Sequence, residues 1–344
     1  MAERWILRKG SKESGFQYVG ANGARIRDKE KLSRIDALRI PPAWRDVHIA
    51  TNARASIQVW GLDARGRKQY RYHQRAVQKG ELRKYYRVRQ MAKALPPLRK
   101  KILKDFKLRG FPRDKVCAGI VLLIADTFLR VGSDRYEREN NTFGITTMRK
   151  SHVDYDGEKV WFEYVGKLSK DQKQFIVKPD LMQFIEELLG TPGARLFRYQ
   201  RDGEWVNVDA REVNRYLQNA AGFPYTAKDL RTWGGTLRAA MFLAEQGSVK
   251  NEKARKATVA MMMRSVAPDL GNTPAIFRKS YVHPMVVTRY LKNGATIVIP
   301  EKKRRRLPHE NSAEEDALIV FLDEYFPERR VDRRKRAARK ERRA

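Results

Sequence analysis

The sequence has few of the residues that build disulfide frameworks or metal centres. Its 344 residues include one cysteine, Cys117, which excludes a disulfide framework and a thiolate zinc cluster. The five histidines are scattered, and no two of them lie at metal-ligand spacing. A Gly-rich phosphate-binding loop is also missing from the sequence. We therefore expect neither a metal nor another cofactor.

Long apolar runs are missing as well. The longest, at residues 116–125, is about half of what a membrane-spanning helix needs. The first ten residues lack the apolar stretch of a secretory signal. We expect a cytoplasmic protein with no membrane partner.

Acidic residues are heavily outnumbered. The chain has 40 Asp and Glu against 73 Lys and Arg, a formal net charge of +33. Such an excess points to a polyanion as the partner. Ten cations lie in residues 329–344 and five more in 302–306, yet the rest of the chain remains strongly basic. The tail is a disordered solubility element, a non-specific phosphate-binding arm or, in a nucleated cell, an import signal.

Length and composition favour more than one folded core. A chain of 344 residues exceeds a typical single domain, and 42% hydrophobic residues suffice for real cores. Strand and turn patterns precede residue 88, and helical patterns follow. We predict an α+β protein with a small β-rich domain (1–88), a mainly helical domain with one small antiparallel β-meander (89–326), and a basic, disordered tail (327–344).

Periodicity locates the main elements. Residues 54–60 and 68–72 alternate as a β-hairpin with Tyr70 and Tyr72 on one face. Helical spacing predicts helices over 116–130, ended by Gly132, over 226–246, ended by Gly247, and over 314–326. The meander comprises strands at 152–155, 159–165 and 174–177, with a tight turn at Asp156 and a longer one at 166–171.

Chemistry alone does not select a site. An enzyme that cleaves phosphodiesters with side chains needs cations for the phosphate oxygens, a nucleophile, and an acid for the leaving oxygen. With 73 cations available, composition leaves too many candidates.

Six short stretches, in order, narrow the choice. The stretches are Gly66-Arg-Lys-Gln-Tyr70 with Tyr72, Phe128-Leu-Arg-Val-Gly132 followed by Tyr136, Tyr164-Val-Gly-Lys167, Lys228-Asp-Leu-Arg-Thr-Trp-Gly234, Gly271-Asn-Thr-Pro274, and Lys279-Ser-Tyr281. Together they resemble the type IB DNA topoisomerases, specifically the compact class of poxviruses and bacteria, over residues from about 40 to 292.

The resemblance implies a catalytic set. It assigns Tyr281 as the nucleophile, Arg130 and Arg231 as the phosphate clamp, and Lys167 as the general acid. Asn272 falls where many members of the family have histidine. An asparagine amide offers only neutral hydrogen bonds, so we expect its NH2 group to hold a nonbridging oxygen rather than to transfer a proton.

The same resemblance implies the reaction. A tyrosine that forms a covalent phosphodiester and later leaves conserves the energy of the cleaved bond, so ATP is not needed. The implied enzyme is a monomer that clamps duplex DNA between its two domains and associates with the nucleoid. The implied DNA contacts are Arg67, Gln69, Tyr70, Tyr72, Tyr136 and Lys228.

Several alternatives remain open. Arg130 could cap a helix, Arg231 could be solvated, and Lys170 competes with Lys167 in one turn. Tyrosine recombinases share the implied catalytic fold, but they usually carry His where this chain has Lys228, and their amino-terminal domain is helical. An architectural DNA-binding protein would use the basic surface without chemistry.

Overall fold

The computed structural model describes residues 5–301 and 305–325. The chain divides into two compact units, one ending at Tyr85 and the other beginning at Tyr86. A 33-residue helix runs through this point, so the predicted domain boundary after residue 88 stays a prediction. The basic tail at 327–344 lies outside the described residues.

The first unit is built on a five-stranded antiparallel sheet with the strand order β2-β1-β3-β4-β5. Ile6, Val47, Ile49 and Val59 of its strands form a small core with Ile35 of the first helix. The β-rich prediction is confirmed. The elements are β1 (Trp5–Ser11), β2 (Gly15–Val19), α1 (Lys29–Ala37), β3 (Arg45–Ala50), β4 (Ile57–Leu62) and β5 (Lys68–Tyr72).

Helices dominate the remainder of the chain and share one large apolar core, as predicted for the α+β class. The first of these helices begins at Gln74, so the prediction of strands and turns up to residue 88 is wrong there. The helices are α2 (Gln74–Phe106), α3 (Arg113–Thr127), α4 (Asp134–Asn140), α5 (Pro179–Leu189), α6 (Ala210–Ala221), α7 (Ala227–Gln246), α8 (Glu252–Val266), α9 (Pro274–Tyr281), α10 (Pro284–Asn293) and α11 (Ala313–Tyr325).

Two small antiparallel sheets accompany these helices. One is the expected three-stranded meander, in the order β6-β7-β8. The other is a hairpin of β9 and β10. The strands are β6 (Val153–Tyr155), β7 (Val160–Gly166), β8 (Lys170–Ile176), β9 (Arg198–Arg201) and β10 (Glu204–Asn207).

The end of α3 differs from the prediction. The helix spans Arg113–Thr127 rather than 116–130, and Phe128 adopts the left-handed conformation with φ 56°. A left-handed phenylalanine is strained, and it persists only where its surroundings fix it. Gly132, the expected terminator, instead serves a close backbone approach: a Cβ built on Gly144 would lie 2.6 Å from the Gly132 nitrogen. Because α3 ends at Thr127, Arg130 lies beyond the helix, in a segment without regular secondary structure.

The second turn of the meander is also shorter than expected. Gly166 pairs with Lys170 across the hairpin, so the turn consists of residues 167–169, and β8 begins four residues earlier than predicted. Leu168 and Ser169 both have positive φ, which allows this tight reversal. Lys170 is consequently a strand residue, whereas Lys167 lies in the turn.

Candidate functional site

The segment that follows α3 holds Arg130 in place through its backbone. The Arg130 carbonyl accepts a hydrogen bond from the Ile145 amide at 2.8 Å, and the Val131 carbonyl accepts one from Thr146 at 2.9 Å. The half-buried guanidinium donates through Nη2 to the Gly271 carbonyl at 2.8 Å and to Asn272 Oδ1 at 3.0 Å. Arg130 therefore does not cap α3; it turns toward the loop before α9.

Arg231 reaches the same loop from α7. Its side chain is buried, with 4% of the residue exposed, and Nη2 donates to the Leu270 carbonyl at 2.8 Å. Burial, with a contribution from the charge of Arg130, lowers the pKa of Arg231 to about 10, so the guanidinium stays charged at neutral pH. The alternative of a solvated Arg231 is wrong.

A glycine on α7 links the two arginine-bearing segments. A Cβ built on Gly234 would lie 2.1 Å from the ring of Phe128. The ring therefore packs directly on the α7 backbone, and this contact helps to fix the left-handed Phe128. Phe128 precedes Arg130 by two residues, and Gly234 follows Arg231 by three. The contact therefore fixes how closely the segments that carry the two arginines approach each other.

Tyr281 ends α9 beside Arg231. Its half-buried ring centre lies 5.1 Å from the Arg231 Cζ, and its carbonyl accepts a hydrogen bond from Thr236 Oγ1 at 3.1 Å. A Cβ on Gly235 would lie 3.1 Å from that same carbonyl, so α9 packs closely on α7. The end of α9 is thereby fixed to the helix that carries Arg231.

Asn272 connects the loop to Arg130. Its amide Nδ2 donates to the Leu270 carbonyl at 3.0 Å, and its Oδ1 accepts from Arg130. Gly271 precedes it with φ 62°, a conformation that favours glycine. One of the two hydrogens of this NH2 group faces the Leu270 carbonyl. The expected contact between the NH2 group and a phosphate oxygen stays a prediction.

Four of the five predicted catalytic residues thus lie together, and the electrostatics of the cluster are unusual. In the part of the chain that the structure describes, neither Arg130 nor Arg231 has a carboxylate among its hydrogen-bond or ion-pair partners. A buried cation without an acidic partner is costly, and an anion is the group that would relieve this cost. The arrangement is suited to holding an anion beside the Tyr281 ring.

Lys167 is placed differently. It lies exposed in the turn between β7 and β8, and no contact joins it to the four clustered residues in the described ranges 5–301 and 305–325. The hairpin that carries it nevertheless reaches the cluster through Gln172 of β8, whose Oε1 lies 3.5 Å from Arg130 Nη1. The choice between Lys167 and Lys170 as the acid stays open.

Sequence reasoning assigned no role to two residues of this region. Gln172 is buried, and Tyr164 is buried opposite it in the β7–β8 register. Burial raises the pKa of Tyr164 to about 12, although the charges of Arg130 and Arg231 act in the opposite direction. If the strand is started at Lys170, the two-residue period of β8 places Gln172 on the same face as the buried Ile176.

The predicted DNA contacts are mostly exposed. Tyr136 on α4 and Lys228 in the first turn of α7 both face solvent. In the first unit, the exposed rings of Tyr70 and Tyr72 stack with centroids 5.9 Å apart. There Asp63 accepts hydrogen bonds from two further predicted contacts, Arg67 and Gln69.

Two family models match the chain. Residues 73–305 match the catalytic core of eukaryotic DNA topoisomerase I, and residues 15–63 match the N-terminal domain of bacterial DNA topoisomerase IB. None of the helices among the described residues is long and apolar enough to cross a membrane.

Viral proteins are similar over much of their length. DNA topoisomerase 1B of Acanthamoeba polyphaga mimivirus is 30% identical over 93% of this chain and 95% of its own. DNA topoisomerase 1B of vaccinia virus (strain Copenhagen) is 25% identical over 64% of this chain and 68% of its own. The class is therefore that of the DNA topoisomerases, which are isomerases. Within this class, the chain belongs to the type IB family, as its motifs predicted.

Proposed function

We propose that this topoisomerase relaxes supercoiled DNA by cleaving and resealing one strand through Tyr281. The observation that carries the proposal is the pair of guanidiniums, Arg130 and Arg231, which lacks a carboxylate partner in the described residues and meets at the 270–272 loop, with Arg231 beside the Tyr281 ring. Forked guanidinium donors suit the nonbridging oxygens of a phosphate as charge grows in the transition state.

The proposed steps balance without a cofactor. The Tyr281 phenol loses its proton to water as its oxygen attacks phosphorus and forms a 3′-phosphotyrosyl bond, while the bond to the 5′-oxygen breaks. That oxygen is a poor leaving group unless it is protonated, and we assign its proton to Lys167. Torque then rotates the free end before the 5′-hydroxyl attacks the phosphotyrosine, restores the strand and returns the phenol. Neither a metal nor ATP takes part.

We assign duplex binding to both units of a monomeric enzyme. Supporting this assignment, Tyr70 and Tyr72 expose stacked rings in the first unit, and Lys228 and Tyr136 are exposed in the second. The five-stranded sheet of the first unit also argues against a tyrosine recombinase, whose amino-terminal domain is helical.

The test is covalent capture on a denaturing gel. The full chain should form an adduct with a duplex labelled on the 5′ side of the cleaved phosphate, and Tyr281→Phe should form none while binding DNA nearly as well. Binding survives because most affinity comes from cations that the substitution leaves in place. Tyr155→Phe, which alters an exposed ring on β6, is the matched control and should behave like wild type.

A second arm addresses the cofactor. Relaxation should continue in EDTA without nucleotide. Relaxation by Tyr281→Phe would move the nucleophile elsewhere, and an absolute requirement for a divalent cation would contradict the proposed chemistry.

A further inference from the structure

Gln172 connects the lysine-bearing hairpin to the arginine pair. It lies on β8, five residues after Lys167, with 8% of the residue exposed. Its Nε2 donates to the Asp171 carbonyl at 2.9 Å, which fixes the orientation of the amide, and its Oε1 faces Arg130 Nη1 at 3.5 Å. Amides have two distinct ends, so this arrangement presents an acceptor to the guanidinium.

The fit around this amide is tight. A Cβ built on Gly271 would lie 2.1 Å from Gln172 Oε1 and 3.0 Å from Arg130 Nη1. The amide oxygen therefore fills the space between β8 and the Gly271 loop, directly against the guanidinium. A shorter side chain at 172 would leave room for Arg130 to move.

The hydrogen bonds of Arg130 show what this contact directs. A guanidinium has five N–H groups. Within the described residues, two on Nη2 donate to Gly271 and Asn272, and one on Nη1 faces Gln172. The Nε hydrogen and the second Nη1 hydrogen have no partner among residues 5–301 and 305–325, and there they remain for a ligand. Three neutral oxygens thus fix the direction of the guanidinium without neutralising its charge.

We propose that Gln172 is a positioning residue, which holds Arg130 in the orientation needed to bind the phosphate at the cleavage site. This inference rests on the proposed function and adds a residue to it. Gln172 acts through Arg130 and does not itself contact the phosphate.

Three variants test the role of Gln172 by single-turnover cleavage at saturating DNA. Gln172→Ala should slow cleavage about tenfold, as expected for the loss of one hydrogen bond to a charged group. Gln172→Glu should slow it on the order of 100-fold, because a carboxylate would pair with Arg130 and compete with the phosphate. DNA affinity should change little. Gln174→Ala, on the same strand and face but one period away, is the matched control and should cleave at the wild-type rate.

The relative cleavage rates of Gln172→Ala and Gln172→Glu separate a positioning role of Gln172 from a packing role. If Gln172 only fills space, the isosteric Gln172→Glu should cleave at least as fast as Gln172→Ala, which would overturn the inference. An Arg130→Lys background provides a second criterion: there, Gln172→Ala should add little further loss. A full additional tenfold loss in that background would show that the two residues act independently.

Misfolding and failure of the proposed function give different results. Gln172→Glu preserves the shape of the side chain, so it still tests the inference if Gln172→Ala melts early. A wild-type chain that forms no covalent adduct would overturn the proposed function. A wild-type chain that cleaves, beside Gln172 variants that cleave equally fast, would overturn only the role of Gln172.

Discussion

Two arginines of the helical unit, the half-buried Arg99 and the buried Arg231, follow opposite electrostatic rules. Arg99 on α2 donates two hydrogen bonds to the Glu315 carboxylate, at 2.8 and 2.5 Å, and Glu315 is 4% exposed. Arg231 is more deeply buried than Arg99, with 4% exposed, but it donates to a backbone carbonyl. The first pair is neutral as a unit, whereas the second environment keeps its full positive charge.

The contrast occurs along one helix. Trp233 of α7 donates to Glu315 at 3.1 Å, and Arg231 lies only two residues earlier. Removing one member of a buried ion pair strongly destabilises a protein, whereas a cation without a carboxylate contributes little to stability and remains available to a ligand. We therefore expect substitutions at the two places to affect different properties.

The largest effect should follow Arg231→Met, which removes the cation and retains much of the bulk. Cleavage should fall about 10³-fold, as for the loss of a principal donor to a transition state. The thermal midpoint should stay close to wild type or rise, because an unpaired buried charge is removed. Arg211→Met, on the exposed face of α6, is the control. A lowered thermal midpoint together with a wild-type cleavage rate would show instead that Arg231 stabilises the fold and does not contribute to cleavage.

Next in size is Glu315→Gln, which leaves Arg99 without its counter-charge. The free energy of unfolding, measured in urea, should fall by about 3 kcal/mol. Cleavage by the folded fraction should be unchanged. The double variant Arg99→Met with Glu315→Gln should recover most of the lost free energy of unfolding. If Glu315→Gln alone were as stable as wild type, the contrast between Arg99 and Arg231 would not hold.

The contribution of the Arg99–Glu315 ion pair should also be visible in the pH dependence of stability. Burial raises the pKa of Glu315, but hydrogen bonds and charge from Arg99 outweigh it and hold the pKa below its ordinary value of 4.5. A carboxyl with a depressed pKa contributes stability above its unfolded pKa and loses it as the pH falls through the folded one. Wild type should therefore lose more stability than Glu315→Gln below about pH 4.5.

A smaller effect is expected for Lys167, a cation in a third, solvent-exposed environment. Lys167→Ala should slow cleavage of a normal strand about 10²-fold, the lower end for general acid catalysis. A substrate with a 5′-bridging sulfur needs no proton to leave, so it should recover most of this rate. Lys170→Ala is the control, and rescue of that variant instead would make Lys170 the acid.

The smallest effect on catalysis should come from deleting residues 329–344, which lie outside the described residues. Ten cations should add phosphate contacts and steepen the salt dependence of binding. Filter binding should weaken most at low salt, while cleavage by pre-bound enzyme should hardly change. A large loss of cleavage at saturating enzyme would place the tail in the catalytic pocket.

Local signals predicted the elements that depend on local interactions. Helix α7 begins and ends within one residue of its prediction, since Thr226 and Gly247 mark its ends in the sequence. The hairpin of β4 and β5 follows from alternation and a turn at Asp63. These features need only neighbouring residues, so a single sequence suffices.

Tertiary contacts account for the failures. The end of α3 was misplaced because Phe128 is fixed by Gly234, which is more than 100 residues away. The start of β8 was misplaced because its first five residues are all polar, and Gln172 is buried against Arg130 rather than against an apolar core. The grouping of Arg130, Arg231, Asn272 and Tyr281 came only from family resemblance, since spacing along the chain does not reveal it.

The packing of the Phe128 ring on Gly234 also bears on how such a chain can diverge. A methyl group at 234 requires the ring to withdraw, and the backbone beside Arg130 would shift with it. Volume added at one position must therefore be removed at the other before either arginine can keep its place. We therefore expect the chain to tolerate a joint exchange at positions 128 and 234 better than a larger residue at position 234 alone.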